Sequence, residues 1–176
     1  MRLPTTQNTV VLRSWEMSDT EQLVKQANDR AVWQNLFDTF PHPYTTKDAE
    51  WWVGHSATCA PSLHLCIEVE GSVAGGVGID IGTGSEQKTG QFGYWLGREY
   101  WGRGIATIAS MAMLRHALEN LPVARLKAPV FAWNARSMHV LEKIGFQREA
   151  VLGNSMVKDG RLVDSVVYSY TAGAYP

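Results

Sequence analysis

The sequence contains few cysteines, no surplus of charge of either sign and no long apolar segment. The two cysteines, Cys59 and Cys66, are spaced neither as a C-x-x-C redox motif nor as a pair of zinc ligands. This excludes a disulfide framework and favours two reduced thiols in a cytoplasmic protein. No window approaches the ~18 consecutive apolar residues of a membrane-spanning helix. The polar N-terminal segment Met1–Thr6 does not resemble a secretory signal.

Charge is nearly balanced, with 16 lysines and arginines against 17 aspartates and glutamates. A formal net charge of −1 creates no general field that attracts nucleic acid or an anionic membrane. We therefore expect neither as a partner, and an anionic ligand must be held by local groups. The five histidines lack the spacing of metal ligands, since His139 and Glu142 form only a lone helical pair. We therefore expect no metal.

The length and composition predict one globular domain over residues 1–176. Apolar residues make up 45% of the 176 positions, which is enough for a core, while the length leaves little room for a second domain. The chain contains no repeats, low-complexity tracts or long linkers that would divide it.

Alternating and helical patterns predict a mixed α/β (α+β) fold, with a largely antiparallel sheet of about seven strands flanked by about four helices. The predicted strands are Val10–Leu12, Leu63–Glu70, Val73–Ile81, Gln91–Leu96, Leu126–Trp133, Val151–Lys158 and Leu162–Tyr170. The predicted helices start near Ser18, Trp33 and Thr45 and include Gly102–Asn120 and Ala135–Ile144. Tight hairpin turns are predicted at Gly71-Ser72 and Asp159-Gly160.

The segment Gly97–Thr107 has the strongest functional signal. It joins an aromatic strand to the start of the long helix, and Gly102 and Gly104 allow a tight turn close to a ligand. Free amides and the helix dipole favour an anion at this point, and Arg98 and Arg103 add positive charge. The segment therefore predicts a diphosphate site.

Three phosphate-binding motifs and one ligand-free alternative compete for this segment. The Walker loop is excluded because the sequence has no Gly-Lys-Ser or Gly-Lys-Thr. The dinucleotide fingerprint fails at its third glycine, where Thr107 stands, and no acidic residue ends the next strand. An acyl-coenzyme A loop, Gln/Arg-x-x-Gly-x-Gly/Ala, and a glycine-rich capping turn without ligand are both consistent with these residues.

Short motifs along nearly the whole chain decide between these alternatives by their order and spacing. In chain order they are Leu12-Arg13-x-Trp15 with Asp19, Asn28-Asp29, Phe40-Pro41-x-Pro43-Tyr44-Thr45, Gly93-Tyr94-Trp95-Leu96, Tyr100–Thr107, Asn134-x-x-Ser137 through Gly145-Phe146, and Asp159-Gly160-Arg161 with Asp164. Together they resemble the GNAT superfamily of acyl-CoA-dependent N-acetyltransferases. The branch they resemble most is the Rim type, which contains ribosomal-protein N-terminal acetyltransferases.

The resemblance implies a GNAT-like fold with acetyl-CoA as co-substrate, in a V-shaped gap between the fourth and fifth strands. The diphosphate would rest on the amides of Arg103–Thr107, and the Leu96 N–H would be the oxyanion donor. The implied cofactor-binding residues are Trp95, Leu96, Arg98, Gly102, Arg103, Gly104, Ile105, Ala106, Thr107, Asn134 and Ser137.

The resemblance also implies direct attack of a primary amine on the thioester, which needs a neutral amine and a stabilised thiolate. Many GNAT enzymes have a tyrosine four residues before the Gly-Phe pair; this chain has Leu141 there, and Ser137 is the implied replacement acid. A serine that bonds the main chain in a first helical turn is an equal alternative. Gln91 stands where many relatives have a glutamate base. Glu68 and Glu149 are candidate replacements, although solvated surface carboxylates are the simpler interpretation of both.

Aromatic residues near the proline-rich loop indicate the acceptor side. We expect Trp33, Phe40 and Tyr44 to line a substrate pocket, and Trp15 and Trp51 to pack in the core. The expected acceptor is a peptide or protein N-terminus, with a small-molecule amine as the other candidate. An α-amine of pKa ~8 suits a chain without a strong base better than a lysine of pKa ~10.4. The alternative function is a non-catalytic acyl-CoA-binding or regulatory domain. Relatives of this branch are often dimers, which makes a homodimer the assembly to test.

Overall fold

A mixed sheet forms the centre of the described chain, residues 1–173. In the computed structural model its strands are β1 (Arg2–Pro4), β2 (Val10–Arg13), β3 (Leu63–Val69), β4 (Ser72–Ile81), β5 (Thr89–Leu96), β6 (Arg125–Phe131), β7 (Gln147–Lys158) and β8 (Arg161–Thr171). Over these residues the eight strands are ordered β1-β2-β3-β4-β5-β6-β8-β7. Every neighbouring pair is antiparallel except β5 and β6. The predicted fold class is confirmed. Residues 174–176 of the predicted domain lie outside the described residues.

The sheet differs from the prediction in one strand and one turn. The extra strand, β1, has three residues of which only Leu3 is half-buried, so no alternating pattern marks it in the sequence. The β3–β4 turn is formed by Glu70 and Gly71, with φ of 50° and 80°, rather than by Gly71-Ser72. Ser72 instead pairs with Val69 in the ladder. The β7–β8 turn lies at Asp159–Gly160, as predicted.

The helices flank the sheet. The α-helices of residues 1–173 are α1 (Thr20–Ala27), α2 (Arg30–Trp33), α3 (Thr46–Thr58), α4 (Ile105–Asn120) and α5 (Ala135–Lys143), and they correspond to the five predicted helices, although α2 ends at Trp33 rather than starting near it. The long helix α4 begins at Ile105 rather than at Gly102. Gly102 and Gly104 have φ of 73° and 74°, which a right-handed helix does not allow.

Separate apolar cores cover the two faces of the sheet. The larger packs α4 and α5 against one face and contains residues such as Leu12, Ile67, Met113, Leu126 and Leu141. The smaller packs α1 and α3 against the other face and contains Trp15, Leu23, Ala49 and Cys66. Trp15 is therefore a core residue, as predicted. The prediction for Trp51 was wrong: it is 64% exposed and stacks on His55, because it lies on the outer side of α3.

A buried ion cluster ties two strands to the start of α1. Arg13 on β2 donates two hydrogen bonds to Asp19, both 2.7 Å, and one to Glu68 on β3 at 2.5 Å. Asp19 also accepts the Glu16 N–H at 2.9 Å, at the turn that leads into α1. Arg2 gives Glu68 a second partner at 2.8 Å, but its side chain is 60% exposed.

Neither a membrane span nor a metal cluster is found over residues 1–173. None of their helices is both long and apolar enough to cross a membrane. Within the same residues, no three or more histidine, cysteine, aspartate or glutamate side chains are grouped closely enough to hold a metal ion.

Candidate active site

A gap opens between β5 and β6. These strands pair only at Thr89–Gln91 and Arg125–Lys127. Beyond that point β5 continues along β4 to Leu96, while β6 continues along β8 to Phe131. The strands therefore separate toward their carboxyl ends, which matches the V-shaped gap that the resemblance implies.

The register of β5 decides which main-chain groups face the gap. The Gly97 N–H donates to the Ala74 carbonyl at 2.8 Å, so these residues form a hydrogen-bonded pair between β4 and β5. Such pairs alternate along an antiparallel ladder, and Leu96 opposite Gly75 is therefore a non-bonded pair whose N–H points into the gap. Trp95 is in the opposite phase, and its main-chain groups bond to β4. Of these two expected cofactor-binding residues, only Leu96 presents an N–H to the gap.

Two neighbours complete this edge of the gap. Tyr94 shares the phase of Leu96, so its main-chain groups also face the gap. The Leu96 carbonyl accepts a hydrogen bond from Trp101 Nε1 at 2.9 Å. This bond holds the peptide between Leu96 and Gly97, which directly follows the residue whose N–H faces the gap.

The N-terminus of α4 presents amides without partners inside the helix. Its first hydrogen bond runs from the Ile108 N–H to the Gly104 carbonyl at 3.1 Å. The amides of residues 105–107 precede that bond and have no acceptor within the helix. Gly104 is the N-cap, with φ of 74°, and Arg103 beside it is exposed. The arrangement can bind an anion at the positive end of the helix dipole.

The segment before α4 is anchored to the α1 side of the molecule. Arg98 Nε lies 2.9 Å from Asp29 Oδ2, so this predicted cofactor ligand is engaged by the N-cap residue of α2. Gln26 on α1 donates to Glu99 at 2.6 Å. A Cβ on Gly97 would lie 1.9 Å from the side-chain oxygen of Gln26, so a larger residue there would have to displace the Gln26 side chain.

The start of α5 approaches the gap from the other side. Asn134 is the N-cap, and its side-chain oxygen accepts the Ser137 N–H at 3.1 Å. The Tyr94 hydroxyl lies 2.9 Å from Ser137 Oγ and 3.2 Å from the Ser137 carbonyl oxygen, so its single proton has two alternative acceptors on this residue. Burial raises the pKa of Tyr94 to about 12, so it stays protonated at neutral pH. The sequence reasoning missed this tyrosine, although the period of two along β5 places it on the same side as Leu96.

The two carboxylates considered as replacement bases lie elsewhere. Glu68 is on β3, beyond β4, and its hydrogen bond to Arg13 lowers its pKa. Glu149 pairs with Arg125, at the end of the gap where the strands are still joined, and this bond lowers its pKa. Both carboxylates are therefore held in ion pairs away from Leu96 and Ser137. Glu149 is a surface carboxylate, as in the simpler interpretation, since its side chain is 44% exposed, whereas the Glu68 side chain is only 12% exposed.

The predicted acceptor-side aromatics lie in and beside the loop between α2 and α3. Trp33 Nε1 donates to the Phe40 carbonyl at 3.1 Å. Phe40 stacks on Tyr44, with ring centroids 4.9 Å apart, and meets the Trp95 ring edge-on at 5.5 Å. Tyr44 is only 4% exposed and belongs to the smaller core. It therefore supports Phe40 from behind. We expected Tyr44 to line an open pocket, and its burial shows that it does not.

A buried lysine joins this loop to the β7–β8 hairpin. Lys158 Nζ donates to the Leu36 carbonyl at 2.9 Å, pairs with Asp38 at 2.8 Å and lies 3.4 Å from the centre of the Trp33 ring. The lysine is 6% exposed, whereas a lysine beside a hairpin turn is normally exposed to solvent. No signal in the sequence distinguishes it. We call this contact set, Lys158 with Leu36, Asp38 and Trp33, the lysine clasp.

Comparison with known proteins places this architecture in a family. Residues 9–147 match the family model described as an acetyltransferase (GNAT) domain. The chain is 28% identical over 169 residues to p20 of Bacillus licheniformis, an uncharacterised N-acetyltransferase, covering 94% of each chain. Among solved structures it is similar to Mycobacterium smegmatis RimJ in complex with CoA-disulfide, with a TM-score of 0.86, 24% identity, and 100% and 88% of the two chains covered. It is also similar to RimL, a ribosomal L7/L12 alpha-N-protein acetyltransferase, with a TM-score of 0.85, 19% identity and 97% and 98% covered.

The fold and the gap define an acyltransferase of the GNAT type. The family model covers most of the chain, and the chain belongs to the GNAT acetyltransferase family. It is an N-acetyltransferase whose acetyl donor is acetyl-CoA.

Proposed function

We propose that the chain acetylates the α-amino group of a peptide or protein N-terminus, with acetyl-CoA held in the gap between β5 and β6. The observation that carries this proposal is the pairing of two donor sets at the gap. The Leu96 N–H points into it, and the amides of residues 105–107 have no acceptor within α4. The first set suits a thioester carbonyl and the second a diphosphate.

The helix amides, together with Gly102, Gly104 and Arg103, form the proposed diphosphate cradle. Ile105, Ala106 and Thr107 contribute through their main chain, so their side chains are free to pack. Arg98 takes a secondary role, since its Nε is engaged by Asp29. Asn134 caps α5 and sets the first turn that presents Ser137 toward the gap.

A glycine at position 104 is predicted to be essential for coenzyme A binding. In Gly104→Val, a β-branched residue would have to adopt φ of 74°, which costs roughly 1–2 kcal/mol, or rotate the amides out of place. We expect the Kd for coenzyme A, measured by calorimetry, to rise about tenfold or more. The control Gly84→Val carries the same type of strain at φ of 58° in the β4–β5 loop and should leave the Kd unchanged. Wild-type affinity in Gly104→Val would contradict the cradle.

The acceptor class follows from the proton that the amine must lose. Glu68 and Glu149 are held by arginines away from the gap, and Gln91 is not a base. Without a strong base, the neutral fraction of the free amine sets the rate. At pH 7 about a tenth of an α-amine is neutral, against well under a thousandth of a lysine amine. The α-amine is therefore favoured, in agreement with the acceptor named for RimL.

Two peptides of one sequence test the acceptor. One has a free α-amine and an acetylated lysine; the other has an acetylated α-amine and a free lysine. At pH 7 we expect the first to be acetylated about 100-fold faster, measured as free-thiol release from acetyl-CoA, with the modified amine located by mass spectrometry. Equal rates or a lysine preference would refute the proposal. A panel of small amines tests the other candidate acceptor. If one of them had a higher kcat/KM than the peptide, that amine would take the place of the peptide N-terminus as the proposed acceptor.

The lysine clasp supports the acceptor side of this proposal. It holds the loop that carries Phe40 against the β7–β8 hairpin, and Phe40 lies against Trp95 on β5. Trp33 and Phe40 are accordingly our candidates for acceptor contact. We also predict a cytoplasmic location, a single domain and a homodimer. Cell fractionation tests the location, limited proteolysis tests the domain and light scattering tests the dimer.

A further inference from the structure

The gap contains a hydroxyl pair that the family pattern does not predict for this chain. The position four residues before Gly145-Phe146 is Leu141, which is 1% exposed and packs in the larger core. That helix position therefore supplies no hydroxyl. A phenol reaches α5 from a different element, because the Tyr94 hydroxyl on β5 lies 2.9 Å from Ser137 Oγ, one helical turn before Leu141.

Tyr94 lies close to the proposed oxyanion donor. It precedes Leu96 by two residues on the same side of β5, a separation of about 7 Å along a strand. The hydroxyl pair is therefore within reach of a thioester whose carbonyl accepts from the Leu96 N–H. Ser137 is fixed from its main chain by Asn134 and from its side chain by Tyr94.

We propose that Tyr94 is a positioning residue that directs the Ser137 hydroxyl toward the departing sulfur of coenzyme A. This inference rests on the proposed function, since it assigns a role within the same transfer step. The Tyr94 hydroxyl has two acceptors on Ser137, the carbonyl at 3.2 Å and Oγ at 2.9 Å. When Tyr94 donates to Oγ, the Ser137 O–H is released to donate to sulfur.

The protons and electrons of this step balance without an additional reagent. The amine nitrogen forms the C–N bond, the C–S bond breaks, and its electron pair goes to sulfur. The surplus proton of the amine goes to solvent. Both hydroxyls keep their protons and act by hydrogen bonding, because the pKa of Tyr94 is about 12 and that of a thiol is ~8.5.

Three variants test the pair: Tyr94→Phe, Ser137→Ala and the double variant. We expect Tyr94→Phe to lower kcat about tenfold to hundredfold, the range of a lost hydrogen bond to a developing charge. Its KM for acetyl-CoA and its Kd for coenzyme A should stay within about twofold of wild type, since the Ser137–sulfur hydrogen bond that Tyr94 orients strengthens only as charge develops on sulfur in the transition state. The double variant should be no slower than Ser137→Ala, because Tyr94 acts through Ser137.

A second tyrosine provides a matched control. The Tyr168 hydroxyl donates to Glu142 Oε1 at 2.7 Å, also on α5 but at the end away from Ser137. Tyr168→Phe removes the same kind of bond and should leave kcat within about twofold of wild type. Wild-type kcat in Tyr94→Phe, or effects of Tyr94→Phe and Ser137→Ala that multiply in the double variant, would overturn the inference. Wild-type protein that binds coenzyme A but releases no thiol with any acceptor would instead overturn the proposed function, and the inference with it.

Discussion

Replacing Gly75 by alanine is expected to abolish most acetyl transfer. Gly75 lies opposite Leu96 in the β4–β5 ladder, and an added Cβ would come 2.1 Å from the Trp95 carbonyl oxygen and 2.8 Å from Leu96 Cα. Both are main-chain atoms, so β5 itself must move. Because the Leu96 N–H is the proposed oxyanion donor, its displacement should lower kcat by about 100-fold or more, the range measured when one such donor is lost.

The measurement for Gly75→Ala is kcat at saturating acetyl-CoA, together with the thermal midpoint Tm. We expect Tm to fall as well, since overpacking typically costs about 1–3 kcal/mol. Gly54→Ala is the control, because a Cβ at Gly54 on α3 meets nothing within 4 Å. That change should leave kcat unaltered and raise Tm slightly. If Gly75→Ala kept wild-type kcat and Tm, the close approach of β4 to β5 would have no part in the site.

Replacing Arg13 by methionine is expected to destabilise the fold strongly. Arg13 is the partner of both Asp19 and Glu68, whose side chains are 6% and 12% exposed. Removing the guanidinium would leave two carboxylates without their main counter-charge in a place that water reaches poorly. Breaking a buried pair in this way costs about 3–5 kcal/mol. The free energy of unfolding, from urea denaturation at pH 7, measures the loss.

Arg2→Met is the matched control for this prediction. It removes the other arginine from Glu68, but Arg2 is 60% exposed, and an exposed pair contributes at most about 1 kcal/mol. A loss in Arg13→Met no larger than in Arg2→Met would contradict the structural role of the cluster.

The same cluster predicts an acid-sensitive part of the stability. The hydrogen bond from Arg13 lowers the pKa of Glu68 below its ordinary value of 4.5. The stability that this carboxylate contributes is therefore complete above pH 4.5 and is lost as the pH falls through the lower folded-state pKa. In Arg13→Met that lowering should become smaller, because only the exposed Arg2 remains as a partner of Glu68. The free energy of unfolding of the variant should then fall less steeply below pH 4.5 than that of wild type.

Much of the fold could be predicted from the sequence because its signals are local. The Asp159–Gly160 turn, the aromatic strand before the glycine-rich segment and the long helix each depend on a few consecutive residues. The start of α4 was placed three residues too early. Glycine is compatible with both a helix start and a left-handed turn, and the pattern of neighbours does not separate the two.

The site was predictable only in part, for the same reason. Gly102, Gly104 and Ser137 could be placed because the family motifs are contiguous in sequence. Trp51 was misplaced because an apolar residue in a helix does not show which side of that helix faces the sheet. Lys158 was missed because its partners lie more than a hundred residues away along the chain.

By itself, the sequence determined the order of strands and helices, the glycine-rich turn at the head of α4 and the resemblance to acyl-CoA-dependent acetyltransferases. Only the tertiary structure decided that the Leu96 N–H faces the gap, that Tyr94 reaches Ser137 and that Glu68 belongs to a buried ion cluster. Strand register and packing set these contacts. Both depend on how distant segments meet, and a pattern of neighbouring residues does not contain that information.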